Sequence, residues 1–326
     1  MRTLIAGCLA AGLSFTLPTQ AQESVDKFPS RPIRLIVPYT AGGSADVIAR
    51  SVAQHMSTAF KQPVIVDNKP GADGVIGADA VAKAPADGYT LLFGPNALYS
   101  IFPQLHPKAT TNVRRDLDPV AAVTSAPMVM AVPASLPVRS VPELIAYAKA
   151  HPGQVSFGSA GNSSLQRMIG ESVALMADVK MIHVPYKGTS QAATDLAAEQ
   201  IQVLYGSTTS IEPLVKAGKA RIIAVTSAKR FPVFPELPSI GETIKGWPDL
   251  ITFQGVFAPK GTPAPVVGKI AAEVARAAAS PDFQARLKAN GFAVKAEAAA
   301  PFKASLERDY QTMSQVIKAA NIESEE

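Results

Sequence analysis

Short apolar runs alternate along this chain with longer segments in which the apolar residues recur at helical spacing. Between residues 44 and 60, Val47, Ile48, Val52 and Met56 recur in this way and predict an amphipathic helix. The first part of the chain is predicted to hold, in order, strand 31–39, helix 44–60, strand 64–66, helix 74–83 and strand 90–93. Continuous apolar strands separated by helices predict a parallel sheet that is covered on both faces.

The same pattern starts again further along the chain. The predicted strands are 128–132, 155–157, 181–184, 201–205 and 221–226, and the predicted helices are 141–150, a segment from after residue 164 to about 176, and 190–198. A late strand at 253–258 and amphipathic helices at 263–289 and 301–319 follow. We therefore expect a first domain of residues 22–124 and 252–326, a second domain of residues 125–251, and a ligand cleft between them.

The first 21 residues have the layout of a secretory signal peptide. Arg2 supplies the positive charge, residues 4–17 form a mostly apolar stretch, and small residues at 19 and 21 predict cleavage before Gln22. A lipoprotein signal at Cys8 is the alternative, but too few residues precede this cysteine to form the apolar segment. The mature chain is therefore expected to be exported, and it would contain no cysteine.

Composition narrows the class of ligand. Charged residues make up 17% of the chain, and 31 basic against 26 acidic residues give a formal net charge of +5. This excess is too dispersed for a nucleic-acid surface, but it suits a small anion. The four histidines are scattered, and the sequence has neither a Walker loop nor a G-x-S-x-G nucleophile turn. We therefore predict no metal, no cofactor, no nucleic-acid partner and no catalytic residue.

Three predicted turns share one arrangement, in which a strand ends, small residues follow and a helix begins. They lie at residues 40–44, 159–164 and 186–190. The first N–H groups of a helix have no partner within the helix, and the helix dipole places partial positive charge there. Each turn alone is also explained by ordinary helix capping. Three of them in two facing domains predict a shared anion-binding site.

Four charged residues near these turns have both a structural and a functional interpretation. Asp46 and Asp195 fit helix-dipole or buried hydrogen-bonding roles, and both lie near the expected cleft. Arg167 and Lys187 fit a solvated helix face, or they bind a ligand carboxylate. The candidate ligand-binding residues are Tyr39, Thr40, Ala41, Gly42, Gly43, Asp46, Asn96, Ser159, Ala160, Gly161, Asn162, Ser164, Arg167, Tyr186, Lys187, Gly188, Asp195 and Ser207.

Several motifs together are specific enough to indicate a family. They include Val37-Pro38-Tyr39-x-Ala41-Gly42-Gly43, Asp67-Asn68-Lys69-Pro70-Gly71-Ala72-x-Gly74, Pro85-Ala86-Asp87-Gly88-Tyr89 and His183-Val184-Pro185-Tyr186-Lys187-Gly188. From about residue 28 to 319 the chain resembles the Bug family, the extracytoplasmic solute-binding receptors of tripartite tricarboxylate transporters. The resemblance implies an α/β fold of the type II periplasmic binding protein class. This fold is a two-domain clamshell, and each domain has a central, mostly parallel sheet flanked by helices.

The resemblance also implies a function and its partners. The expected protein is a periplasmic, monomeric receptor rather than an enzyme. It would capture a small organic anion, either a di- or tricarboxylate or an aromatic acid, and deliver it to the membrane permease subunits of the transporter. An exported enzyme with Lys187 or Asp195 as its acid–base group, and a ligand sensor for a histidine kinase, are the alternatives on the same fold.

Two departures from the family pattern bear on the ligand. Gln166 and Arg167 stand near the position where the family often has a histidine, and Gly206-Ser207 replaces an acidic-Asn pair. The loss of an acidic group beside the cleft predicts a more anionic or bulkier ligand.

Overall fold

The computed structural model describes residues 27–324, so the signal peptide expected at residues 1–21 lies outside the described chain. The strands are β1 (Ile33–Val37), β2 (Val64–Asn68), β3 (Thr90–Pro95), β4 (Leu117–Pro127), β5 (Val129–Pro133), β6 (Val155–Ser159), β7 (Met181–Pro185), β8 (Val203–Gly206), β9 (Ala220–Val225), β10 (Ile251–Pro259) and β11 (Ala293–Ala298). The α-helices are α1 (Ser44–Phe60), α2 (Val75–Ala82), α3 (Ala97–Ser100), α4 (Phe102–Leu105), α5 (Val113–Asp116), α6 (Val141–Ala150), α7 (Leu165–Met176), α8 (Thr189–Ala197), α9 (Thr208–Lys216), α10 (Ala264–Ala279), α11 (Pro281–Ala289) and α12 (Ala299–Ala319). The strands form two sheets, and we call each sheet with its helices a lobe.

The first lobe is built on a sheet of six strands in the order β11-β4-β10-β3-β1-β2. β1 runs parallel to β2 and β3, whereas β10 pairs antiparallel with β3 and β4. Both faces of β1 are buried, because Leu35 packs into one hydrophobic cluster and Ile36 into another on the opposite face. Because side chains on both faces of β1 are buried, its sequence is a continuous apolar run and does not alternate with polar residues.

The second lobe is built on a sheet of five strands in the order β7-β6-β8-β5-β9. β6 runs parallel to β7 and β8, and β5 pairs antiparallel with β8 and β9. β4 leads through Met128 directly into β5, and the chain returns to the first sheet in β10. These crossing strands add antiparallel pairs, so both sheets are mixed rather than mostly parallel as expected from the resemblance. The two-domain α/β fold class is confirmed, while the residue limits of the domains stay a prediction.

The last helix contacts both lobes. Phe302 and Leu306, near the start of α12, belong to a hydrophobic cluster of the first lobe. Met313 and Val316, near its end, pack into a cluster that contains Phe157 of the second lobe. α12 therefore links the two lobes beside the crossing strands. None of the helices in residues 27–324 combines the length and the apolar character that spanning a bilayer requires.

Six of the strands and helices named above were not predicted from the sequence, namely β4, β11, α9 and the four-residue helices α3, α4 and α5. The segment predicted as one helix over 263–289 is two helices, because it is interrupted at Ser280 and Pro281. Proline has no backbone N–H to continue the first helix, and it suits the first position of the next one.

Candidate functional site

A cleft of about 610 Å³ lies between the two lobes, at the edge where the parallel strands of both sheets end. The candidate residues that line it are Tyr39, Thr40, Gly42, Gly43, Asn96, Ala160, Ser164 and Ser207. The candidate residues outside the lining are Ala41, Asp46, Ser159, Gly161, Asn162, Arg167, Tyr186, Lys187, Gly188 and Asp195. The structure thus brings turns of both lobes to one cavity, and ligand contact by the individual residues stays a prediction.

The first turn presents the N-terminus of α1 to the cleft. Gly43 is the N-cap residue, and because glycine has no side chain it cannot cap this helix end with one. Ser44 and Ala45, the first two residues of α1, also line the cleft. Gly42 has a φ of +84°, a left-handed conformation that glycine adopts without strain. Backbone N–H groups at this end therefore offer partial positive charge to a ligand.

Asp46 holds this turn in place from outside the cleft lining. The residue is 4% exposed, and its carboxylate accepts hydrogen bonds from the Gly42 backbone N–H and from Arg50, each at 3.0 Å. Burial opposes ionisation of the carboxyl group, but the hydrogen bonds from Arg50, Gly42 and Asn68 outweigh it and lower the pKa of Asp46. This geometry favours the structural interpretation of Asp46.

The second turn presents the N-terminus of α7. Ser164 is the N-cap residue, and its hydroxyl oxygen accepts a hydrogen bond from the Arg167 backbone N–H at 3.3 Å. The same hydroxyl donates to the Gly161 carbonyl oxygen at 2.6 Å, which fixes the turn. Ser163 lies 2.7 Å from Nε2 of His106, a residue that follows α4. This hydrogen bond joins the turn to the segment between β3 and β4.

Ser159 lies behind the second turn and is fully buried. Its hydroxyl donates to the Gly161 carbonyl oxygen at 3.0 Å and lies 2.6 Å from Nε2 of His183. Burial, together with the positive charge of Arg167, lowers the pKa of His183 to about 4, so the ring is neutral at physiological pH. A serine beside a neutral histidine resembles a nucleophile and its base, but a substrate cannot reach a fully buried hydroxyl. The pair therefore organises the turn.

Arg167 is part of an ion pair in the first turns of α7. Its Nε atom lies 3.7 Å from the carboxylate of Glu171, and the Arg167 side chain is 18% exposed. Burial raises the pKa of Glu171, and the nearby guanidinium group opposes this rise. Because Arg167 does not line the cleft, its position favours a structural role over capture of a ligand carboxylate.

The third turn contributes less to the cleft than the sequence suggested. The Tyr186 hydroxyl donates to the Asp195 carboxylate at 2.8 Å, and burial together with this bond raises the pKa of Tyr186 to about 12. Lys187 is exposed and lies outside the lining. Thr189, the first residue of α8, does line the cleft, and it accepts a hydrogen bond from Gln166 at 3.0 Å.

A fourth turn, between β8 and α9, also reaches the cleft. The sequence analysis named Ser207 as a candidate residue but did not predict the helix that follows it. Ser207 is the N-cap of α9, and its hydroxyl oxygen accepts from the Ser210 backbone N–H at 3.3 Å. Thr208, Thr209 and Ser210 line the cleft with it. The signal was a serine N-cap directly after a strand. The helix was still not predicted, because it contains Pro213, and proline normally disrupts the interior of a helix.

Gln254 of β10 is a further lining residue that the sequence did not indicate. The residue is 5% exposed, and within the described chain its Oε1 atom has no hydrogen-bond partner. Leaving a buried polar atom unpaired costs about 1–3 kcal/mol. A ligand or a bound water that donates to Gln254 would remove this cost.

The lining combines hydroxyl groups with apolar side chains. Its hydroxyl-bearing residues are Tyr39, Thr40, Ser44, Ser163, Ser164, Thr189, Ser207, Thr208, Thr209, Ser210 and Thr252. Its larger apolar residues are Leu98, Phe102, Met128, Leu165 and Phe292. Among the described residues of the lining, Asp73 alone carries a formal charge. Within residues 27–324, no group of three or more His, Cys, Asp or Glu is placed to hold a metal ion.

The two lobes and the cleft between them define a solute-binding protein of the periplasmic type. A family model described as the tripartite tricarboxylate transporter family receptor matches residues 48–322. A relative from Pseudomonas sp. (strain P51), the UPF0065 protein in the tcbD-tcbE intergenic region, is 38% identical over 315 residues, which is 94% of this chain and 92% of the relative. This chain belongs to the tripartite tricarboxylate transporter receptor family, and the resemblance found in the sequence is confirmed.

Two solved structures of similar proteins contain carboxylates. Rpa4515 of R. palustris with adipate is 31% identical, has a TM-score of 0.82, and the match covers 91% of this chain and 99% of that chain. MatC (Rpa3494) from Rhodopseudomonas palustris with bound malate is 28% identical, has a TM-score of 0.77, and the match covers 89% of this chain and 100% of that chain. The family and its neighbours are transporter receptors, which confirms the prediction of a protein that is not an enzyme.

Proposed function

We propose that this protein is a periplasmic receptor that closes its two lobes on a small organic carboxylate and delivers it to a tripartite tricarboxylate-type membrane permease. One observation carries the proposal. The N-termini of α1, α7 and α9 reach the same cleft, the first from one lobe and the others from the second lobe. A carboxylate bound among them would accept hydrogen bonds from both lobes and so favour the closed arrangement.

The physical magnitudes support carboxylate binding without a cationic side chain. Each helix N-terminus favours an anion by about 0.3–1 kcal/mol, and by up to ~2 kcal/mol where it is partly buried. A micromolar affinity corresponds to about −8.2 kcal/mol. Three termini, the hydroxyl donors of the lining and burial of the carbon skeleton against Leu98, Phe102 and Met128 together approach this value.

The relatives support the ligand class and the location. Adipate and malate, which occupy Rpa4515 and MatC, are both small dicarboxylates. Residues 1–21 have the layout of an export signal, in agreement with a receptor that meets its ligand outside the cytoplasm. The family description supports a permease partner.

Ligand capture is tested by thermal unfolding of the mature chain with a panel of organic acids. Binding to the native state stabilises it by RT ln(1 + [L]/Kd), so we expect a melting temperature that rises with the concentration of at least one carboxylate. The uncharged amide of the same carbon skeleton is the control, and it should have no effect. A panel in which every acid behaves like its amide would contradict carboxylate capture.

Delivery to a permease needs a separate test in cells. A strain without this receptor should lose uptake of the ligand identified by thermal unfolding, and the wild-type gene should restore it. A variant with Gly43→Pro, which removes a backbone N–H at the start of α1 and restricts the turn, should restore uptake poorly. Normal uptake in the deletion strain, with a change only in ligand-dependent gene expression, would favour the sensor alternative.

A further inference from the structure

One hydroxyl group of the cleft lining has its hydrogen-bonding direction set by a neighbouring side chain. Thr189 is the first residue of α8, and its Oγ1 atom accepts a hydrogen bond from Nε2 of Gln166 at 3.0 Å. Gln166 is the second residue of α7 and is 6% exposed. Both residues line the cleft. The hydrogen bond therefore joins the starts of two helices of the second lobe at the wall of the cleft.

The direction of this bond decides what Thr189 can offer to a ligand. A threonine hydroxyl has one proton to donate, and it accepts hydrogen bonds at its lone pairs. The Gln166 amide occupies the accepting side of Thr189, and in residues 27–324 the Thr189 hydroxyl donates to no other protein group. Its proton is therefore left for an acceptor in the cleft, such as a carboxylate oxygen.

Other groups around Thr189 leave this proton available. Ser164 shows the opposite case in the same lining, because its hydroxyl already donates to the Gly161 carbonyl oxygen at 2.6 Å. The last residue of β8, beside Thr189, is Gly206, which has no side chain to accept the Thr189 proton. A β-carbon at Gly206 would lie 3.5 Å from Cγ2 of Thr189. Thr189 thus lies among the starts of α7, α8 and α9 as a hydroxyl donor.

We propose that Gln166 is a positioning residue that holds the Thr189 hydroxyl as a donor, and that Thr189 donates to the carboxylate of the ligand. A hydrogen bond to an ionised acceptor is about twice as strong as one between neutral groups. An acidic side chain at position 166 would instead accept from Thr189 and turn its proton away from the ligand. This inference rests on the proposed function, because a carboxylate must occupy the cleft.

The test reverses the direction of the hydrogen bond while it keeps the size of the side chain. Gln166→Glu replaces the N–H donor by an acceptor, and Gln166→Met removes the donor without adding an acceptor. Thr189→Val removes the hydroxyl and keeps the branched shape, and combining it with Gln166→Glu completes a double-mutant cycle. Calorimetric titration of the mature chain with malate, adipate, citrate and benzoate gives the Kd of each acid that binds.

Gln202→Leu is the matched control. Gln202 also forms a hydrogen bond with a hydroxyl group of the second lobe, since its Oε1 atom accepts from Ser156 at 3.0 Å, and it lies outside the cleft lining. This variant should lower the melting temperature and leave every Kd unchanged. Melting of each ligand-free variant shows that the chain is folded before its Kd is compared.

We expect Thr189→Val to raise Kd by about tenfold, through the loss of one hydrogen bond to a charged group. Gln166→Glu should raise Kd by about thirtyfold when the Thr189 hydroxyl is present. In the Thr189→Val background it should raise Kd by only about threefold, because just the repulsion between two carboxylates remains. Gln166→Met should raise Kd by at most about threefold, because the released hydroxyl can still turn toward the ligand.

The outcomes separate this inference from the proposed function. If Gln166→Glu raised Kd by the same factor with and without the Thr189 hydroxyl, the positioning role of Gln166 would be overturned and carboxylate capture would stand. An unchanged Kd in Thr189→Val would overturn the contact between Thr189 and the ligand. Failure of all four acids to bind the wild-type chain would overturn both proposals.

Discussion

Gln254 and Thr124 are paired in register across β10 and β4, and each buries a polar side-chain atom that has no hydrogen-bond partner in the described chain. Gln254 lines the cleft, whereas Thr124 does not. Both residues therefore carry the cost of an unpaired polar atom, but only Gln254 is placed to contact a ligand in the cleft. This contrast allows a binding role to be separated from a structural one.

Gln254→Leu should stabilise the ligand-free protein and weaken ligand binding. Removing the unpaired Oε1 atom raises the free energy of unfolding by about 1 kcal/mol, and losing a hydrogen bond to the ligand raises Kd by about tenfold. Urea unfolding and calorimetric titration measure the two effects. Thr124→Val is the control, and it should stabilise the protein to a similar extent without altering Kd. Unchanged affinity in Gln254→Leu would exclude a ligand contact.

The site residues that the sequence predicted are those that lie in local turns. Thr40, Gly42 and Gly43 follow a strand and precede a helix, so their place at a helix N-terminus is visible in a short window of sequence. Gln254 reaches the cleft only because β10 returns from the second lobe and pairs with β3 and β4. Such long-range pairing leaves no local pattern, which is why Gln254 was missed.

At the level of elements, the strands and helices with a strong local pattern were predicted and those shaped by the tertiary structure were not. The predicted ranges for α1 and α6 match the structure at both ends. β4 was missed because it contains proline, aspartate and alanine, which are depleted in strands, although nearly every residue in it is buried. Burial within the sheet, which no short window shows, therefore stabilises β4 despite its weak strand pattern.

Ser207→Ala tests whether the N-terminus of α9 serves the ligand as well as the helix. Losing the serine N-cap should lower the free energy of unfolding by about 1 kcal/mol. Ligand affinity should fall as well, by about three- to tenfold, because a hydroxyl of the lining is also lost. Melting of the ligand-free chain and a ligand titration separate the two effects.

Ser140→Ala provides the control for this experiment. Ser140 caps α6 through the Glu143 backbone N–H, and it lies outside the cleft lining. Ser140→Ala should lower the free energy of unfolding by a similar amount and leave ligand affinity unchanged. Equal affinity in the two variants would show that the α9 hydroxyl has no role in binding.

At the scale of the whole molecule, a buried acid on α12 lies next to the strands that connect the lobes. Asp309 is 8% exposed and accepts a hydrogen bond from the side chain of Asn96 at 2.8 Å. Asn96 also donates to the Ile251 carbonyl oxygen and accepts from the Phe253 backbone N–H, at the start of β10. Asp309 is thus connected through Asn96 to both the cleft and a crossing strand.

Asp309 should make stability fall as the pH rises. Burial raises its pKa from 3.8 to about 6, the negative charge of Asp249 adds to the rise, and hydrogen bonds from Ser100 and Asn96 together with Lys295 oppose it. Between these two values the native state keeps a proton that the unfolded chain has released. Its stabilising contribution is therefore complete below 3.8 and is lost as the pH rises through about 6.

Asp309→Asn should remove this pH dependence and raise the free energy of unfolding at neutral pH by on the order of 2 kcal/mol. The amide oxygen of asparagine can still accept the hydrogen bond from Asn96. Urea unfolding measured across this pH range provides the test. Asp249→Asn provides a control with a smaller expected effect. It removes one negative charge that raises the pKa of Asp309, so the pH range over which stability falls should become narrower but should not disappear. If Asp309→Asn showed the same dependence of unfolding free energy on pH as the wild-type protein, Asp309 would not be its cause.

All strands of the second sheet come from one uninterrupted stretch of chain, which begins just after Met128 and ends at Val225. A stretch of this kind can be exchanged between relatives as one cassette, carrying the N-termini of α7 and α9 with it while the host keeps α1. The receiving protein must match the cassette at its junctions, along the end of α12, where Met313 and Val316 pack, and at the other outside residues of the same hydrophobic cluster, which include Ile101, Leu105, Ile240 and Trp247. Chimeras built this way would show how much of the ligand preference each half of the cleft dictates.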